Sequence, residues 1–341
     1  MAAAPGAPPP ALRSDEGLGV TYDPRVNPLY LVLELGAAGL FAGAALFALR
    51  RGRLPFLELV SAATFGLLLE EGDQLIFQTY HYAPDFVLTL DRAPLVIGLT
   101  WALIIAGAMR ITDALGVQRR YAPFVDSVLA ISLDLAFDAI AIRMGLWTWR
   151  GMSLTDAWFG VPAGNFYAWL FVTLGFSFLS RSLRRRAVGR PALEWLQLLV
   201  PLPAFAILLL GLVPFSILRP FVDPRPGGGL VMFAVTLVAF VAIAAYGVWG
   251  PDRAPPDGAG RAMLDLRMAF ASRLAIHLFF LAALFVLGLA TRLPVLLAVS
   301  LAMLLVEAPL AWLIRARHAA AASSPRVAEP IPAAHGAAEL P

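Results

Sequence analysis

An all-α bundle of membrane-spanning helices is the fold class this sequence predicts, and three observations predict it. Of its 341 residues, 60% are hydrophobic and only 14% charged, with a mean hydropathy of +0.76, far outside the range of soluble domains. The apolar residues come in runs close to the ~20 residues a helix needs to cross the hydrocarbon core. Between the runs, arginine-rich and arginine-poor connections alternate, as they do when loops are sorted to the two sides of a membrane.

In chain order, residues 1–28 are Ala/Pro/Gly-rich and hold no apolar run, which predicts a mobile tail. The order of charged region, apolar region and cleavage site that makes a signal peptide is missing. Spans are expected at about 29–49, 54–79, 92–112, 122–144, 163–181, 193–214, 228–249, 270–290 and 293–314. That makes nine, or eight if Pro294 marks a re-entrant turn, because only Thr291, Arg292 and Leu293 separate the last two. A second Ala/Pro-rich tail, 316–341, follows the transmembrane domain at 29–315, and no internal repeat or soluble domain is visible.

All 26 basic residues are arginine, and 18 of them fall in the connections around 50–53, 110–120, 181–190 and 253–273 or in the tail at 315–326. The positive-inside rule then places the N-terminus outside and the C-terminus inside, in agreement with an odd number of spans. This predicts a multi-pass protein of the cell's inner (plasma) membrane. Cysteine is absent, which excludes disulfides, thiolate nucleophiles and Cys-ligated metals. Without lysine there is no Schiff base to a cofactor, and four histidines do not make a His-rich metal site. A net charge of +3 spread over loops is no nucleic-acid surface.

Against this background the buried acids stand out. A carboxylate in a membrane-grade helix costs roughly 2.5 to 3.5 kcal/mol at the bilayer centre on insertion scales. The fourth span carries Asp126, Asp134 and Asp138, and the last two, four residues apart, lie on one helical face. Two carboxyls stacked in low dielectric do not both ionise easily, which divides such a pair into an acid and a base. Asp126, about 80° around the helix from Asp134 at 100° per residue, reads as a helix-end residue. In the second span Glu70, Gln74 and Gln78 recur at spacing four and predict a polar stripe turned inward, whereas Glu71 and Asp73 read as hydrated rim.

At 1.5 Å per residue, Glu70 to Asp73 lie roughly 24 to 29 Å above the inner face and Asp134 and Asp138 roughly 18 to 24 Å. Asn165, behind the Gly160-Val161-Pro162 turn, opens the next span at the same level, where capping is the commoner fate of such a residue and holding a water the other. Tyr80, Tyr82, Trp101, Trp147, Trp149, Trp158 and Trp169 also fall there. An interfacial belt is the default account of such residues. Beside carboxylates, the same rings also suit a pocket for an apolar polyene and a passing carbocation.

These residues resemble the integral-membrane carotenoid biosynthesis family whose characterised members are carotenoid 1,2-hydratases acting on acyclic ends, as in γ-carotene or bisanhydrobacterioruberin. The resemblance runs through Glu70, a Y-x-Y at Tyr80 and Tyr82, Pro94 and Trp101, D-x-x-x-D at Asp134 and Asp138, and G-x-W-x-W at Gly145, Trp147 and Trp149. It ends in F-G-V-P-x-x-N-F-x-x-W from Phe159 to Trp169, covering about 55–180. Ala139 stands where the family has Pro, Tyr167-Ala168 replaces a small-Gly pair, and EGDQLIFQT replaces a Gly/Phe-rich run. The resemblance implies hydration of a terminal double bond, with Asp134, Asp138 and Glu70 as acid and base. It implies Tyr80, Tyr82, Trp101, Trp147, Trp149, Asn165 and Trp169 around the substrate, no cofactor and no metal. Partners would be a carotenoid or other isoprenoid lipid, the membrane and other enzymes of the pathway.

Two other readings fit parts of the pattern. Asp134-x-x-x-Asp138 is similar to one Mg²⁺ motif of the membrane prenyltransferases, but their Asn-Asp-rich first motif is absent. Intramembrane acids also mark proton-coupled transporters, whose inverted repeats are not visible here.

Overall fold

The computed structural model describes residues 28–250 and 262–323. The two segments read as tails therefore lie outside the described residues, except that Pro28 and residues 316–323 are helical. The protein is mostly helical. In order come α1 (Pro28–Arg51), α2 (Arg53–Gly72), α3 (Leu95–Ala114), α4 (Ala122–Ala141), α5 (Ala163–Ala187) and α6 (Pro201–Val222). They are followed by α7 (Leu230–Trp249), α8 (Ala262–Val286), a short α9 (Leu289–Arg292), α10 (Pro294–Leu305) and α11 (Glu307–Ser323). Prolines open or immediately precede α1, α3, α5, α6 and α10 and lie in the first turn of α4, because the first helical positions have no use for the N–H that proline lacks.

Among the described residues, seven helical stretches are long and apolar enough to cross a membrane, the last being 294–320, interrupted at Val306. Pro294 thus begins a helix. α2 and α4 are not among the seven because of their charges: Glu58, Glu70 and Glu71 lie in one apolar stretch, and Asp126, Asp134 and Asp138 in the other. These two helices are well covered by protein. α4 is buried along almost its whole length, with α3, α5, α7, α8 and α10 packed around it, whereas α1, α6 and 294–320 turn most of their surface outward.

Two expected spans end differently. The helix expected over 54–79 leaves α geometry at Gly72, makes one π-helical turn over Asp73–Phe77 and stops at Gln78, whose φ of 50° is left-handed. The span expected from 193 begins instead with a 3-10 segment, Pro191–Leu199, and α6 follows at Pro201. The all-α reading also left out four short strands found among the described residues. β1 (Tyr80–Tyr82) pairs antiparallel with β4 (Trp147–Trp149), setting Tyr80 opposite Trp149 and Tyr82 opposite Trp147, and β2 (Thr89–Leu90) pairs with β3 (Ala93–Pro94). Alternating aromatic residues suit a half-buried strand, so the Y-x-Y and W-x-W motifs are two sides of one ribbon.

Candidate active site

Glu70, in the last turn of α2, is buried, and both its oxygens are held. The hydroxyls of Tyr80 and Tyr82 donate to Oε2, Tyr82 at 2.5 Å, and Trp101 Nε1 donates to Oε1 at 2.7 Å. The strand makes this possible, because residues two apart in β1 point to the same side. Trp101 reaches the carboxylate from α3 only because Gly66 leaves it room: a Cβ there would lie 2.5 Å from Trp101 Cβ. A Gly66→Ala variant is expected to push Trp101 off Glu70 and lower turnover while the protein stays inserted. Unchanged turnover together with unchanged tryptophan fluorescence would count against that packing.

Asp134 and Asp138 face α5. Asn165, in its first turn, donates through one amide nitrogen to Asp134 Oδ2 at 3.0 Å and to Asp138 Oδ2 at 2.6 Å. It is therefore not the helix cap that its position suggested; Pro162 holds that place without a side-chain bond. Trp147 Nε1 donates to Asp138 Oδ1 at 2.9 Å. Asp134 Oδ1 is buried and meets no donor. Arg143, five residues beyond Asp138, binds the carbonyls of Ala139, Leu154 and Phe159.

Aromatic contacts join the two carboxylate stations. Tyr82 meets Trp147 edge-on at 6.0 Å between ring centres, Trp101 lies 4.2 Å from Trp169, and Phe137 closes on Trp169 at 5.7 Å. Tyr80 rests on Trp149 at 4.8 Å. All ten residues singled out from the sequence line one cavity of about 1260 Å³, walled by α1 to α6 and α8. Its acids and amide are concentrated where α2, α4 and α5 meet, and the rest of the wall is largely apolar. The α6–α7 loop sits beside it: Gly227 O accepts from Ala163 N, and Gly227 and Gly228 touch the cavity. In this exposed loop the bond from Arg225, with a second from Gly229 N–H, holds the Asp223 carboxyl below the usual carboxylate range.

Other sequence assignments change. Glu71 accepts the backbone N–H groups of Arg92 and Ala93, tying α2 to the β2–β3 turn, and Asp73 accepts both N–H and hydroxyl of Thr79 and lines the cavity. Gln74 bonds to Tyr80 O, but Gln78 lies past the helix and accepts from Arg150, so the expected three-residue stripe ends at Gln74. Trp158 donates to Leu135 O, outside the cavity wall.

Asp126 is no helix-end residue. It is fully buried and bonded by Ser177 and Arg181. Arg181 also pairs with Asp113, Arg184 bridges Asp113 and Glu58, and Arg110 lies 3.5 Å from Glu58. Three arginines and three acids thus form one network across α2, α3, α4 and α5. The signal was available: Ser177 and Arg181, four apart, share one face of α5, and an arginine inside an apolar span calls for an acid partner.

The site defines a multi-pass helical membrane protein whose largely apolar cavity is lined by three carboxylates amid aromatic rings. The particular kind is given by comparison: the family model described as carotenoid biosynthesis protein matches residues 26–222, and the chain belongs to that family. The match takes in α1 to α6 and thus the three carboxylates, Asn165 and the six aromatic residues around them. Neither the curated proteins nor the solved structures offer a match.

Proposed function

We propose that this protein is a carotenoid 1,2-hydratase, adding water across the terminal double bond of an acyclic carotenoid end. The observation that carries the proposal is the bonding of the six carboxylate oxygens. Protein donors occupy five; Asp134 Oδ1 alone, on a residue of the cavity wall, is left without a protein partner. A proton on that oxygen finds no protein acceptor, and an alkene carbon is an acceptor the cavity can supply.

In this reading Asp134 transfers its proton to one alkene carbon, leaving a tertiary cation on the other. The ring faces of Trp101, Trp147 and Trp169 and the Glu70 carboxylate, fixed by three donors, stabilise that charge. A water adds to the cation, and Asp138 takes its proton. The stacked pair then returns that proton to Asp134, so the enzyme is restored and the product differs from the substrate by one water. We place the site in the outer half of the plasma membrane, with the N-terminus outside and α2 and α4 completing nine spans.

Expression in cells that accumulate an acyclic carotene, followed by chromatography with mass detection of the pigments, tests the reading. The expected product has gained one or two waters. Unchanged pigment beside protein shown to be inserted would overturn the reading, and a pigment gaining an isoprenoid unit would assign the chain to the prenyltransferases.

A further inference from the structure

The family match ends at Val222, yet the cavity does not. Helix α8, beyond that limit, supplies Ala275, Ile276, Phe279 and Phe280 to the wall. Phe280 stacks on Phe137 at 4.9 Å with the rings 20° from parallel, and Phe137 in turn meets Trp169, so this helix continues the aromatic surface that leads to Glu70. α8 is also fixed there by unusual means. Arg273, with no exposed surface, donates to Leu129 O at 2.8 Å and Ser132 Oγ at 3.0 Å on α4, within two turns of Asp134. Its charge is met by Glu307 of α11 at 2.7 Å, which also lies 3.3 Å from His277 Nε2. A charge this deep in an apolar bundle is tolerated only when paired, and the pairing makes the wall a fixed boundary.

The geometry points to α8 as the selectivity wall of the cavity, setting which length of acyclic polyene the site accepts. It rests on the polyene reading of the cavity but not on the hydration step. The carboxylates fix where the reacting end lies, and the rest of an extended apolar chain must run along the remaining wall. Ala275, Ile276 and Phe279 are the half-buried α8 side chains of that wall, open to contact with what passes. Leu278, on the same helix, is more than half exposed and lies off the cavity.

The test measures binding by the full chain in lipid nanodiscs, using quenching of tryptophan fluorescence by two acyclic polyenes that differ by one isoprene unit. Phe279→Ala, which opens the wall, is expected to shift the ratio of the two dissociation constants toward the longer polyene by about tenfold. Ala275→Leu, which narrows it, should shift the ratio toward the shorter by a similar factor, the size expected of small volume changes in an apolar pocket. Leu278→Ala should leave the ratio as it is. If both wall variants elute as the wild type does and keep its ratio, the proposal is overturned. Failure of the wild type to bind either polyene would overturn it together with the polyene reading. Binding without hydration would overturn the hydratase alone.

Discussion

Asp134→Asn is expected to lower hydration by about 10²- to 10⁴-fold, the range that loss of a positioned general acid produces, while the protein remains inserted and folded. The substitution is nearly isosteric and keeps an oxygen for Asn165, whose amide bridges the pair at 3.0 and 2.6 Å. What it removes is the proton that the proposed mechanism transfers from Oδ1, the oxygen that no protein group binds. Asp138→Asn is expected to stop product formation too, by a different route: its two oxygens are engaged by Trp147 and Asn165, and the variant loses the acceptor for the proton from water. Pigment analysis beside a measure of inserted protein decides the matter. Full activity in both variants would remove the two aspartates from the chemistry.

The largest effect on stability is expected at the other end of the same helix pair. Arg181→Leu would strand Asp126, which has no exposed surface, and take one cation from Asp113, at a cost of about 3 to 5 kcal/mol for breaking a buried ion pair. The corresponding surface change, Arg53→Leu at its half-exposed contact with Glu194, should cost no more than about 1 kcal/mol. Thermal unfolding in detergent, followed by the loss of the monodisperse elution peak, separates the two. Equal midpoints for both variants would show that the buried network does not hold α4 to α5. Arg181→Lys, which keeps the charge without the guanidinium fork, should fall between them.

Sequence alone determined much of this protein. Helix length against bilayer thickness is a matter of composition, and the runs near α1, α3, α5 and α7 coincide with observed helices to within a few residues. The candidate site was legible for a related reason: acids in apolar helices are expensive, so Glu70, Asp134 and Asp138 stood out before any contact was known. Periodicity also placed Asp134 beside Asp138, since spacing within one helix is fixed by the helix itself. Polar segments with partners on other elements escaped this reasoning. Gln78 broke a regular stripe because the chain leaves α geometry after Gly72 and its helix stops at Gln78, and Asp126 looked peripheral because its partner lies 55 residues away on α5.

Tertiary structure alone decided which donors meet which carboxylates: the pairing of Tyr80–Tyr82 with Trp147–Trp149, the sharing of Asn165 between two aspartates, and the approach of Trp101 past Gly66. It also decided that α8, outside the region shared with the family, completes the cavity. The physical reason is common to all of these. Hydropathy and helical period are properties of a local stretch of chain, whereas hydrogen bonds such as those of Asn165, across 27 and 31 residues, exist only once the helices have packed and brought their two ends together.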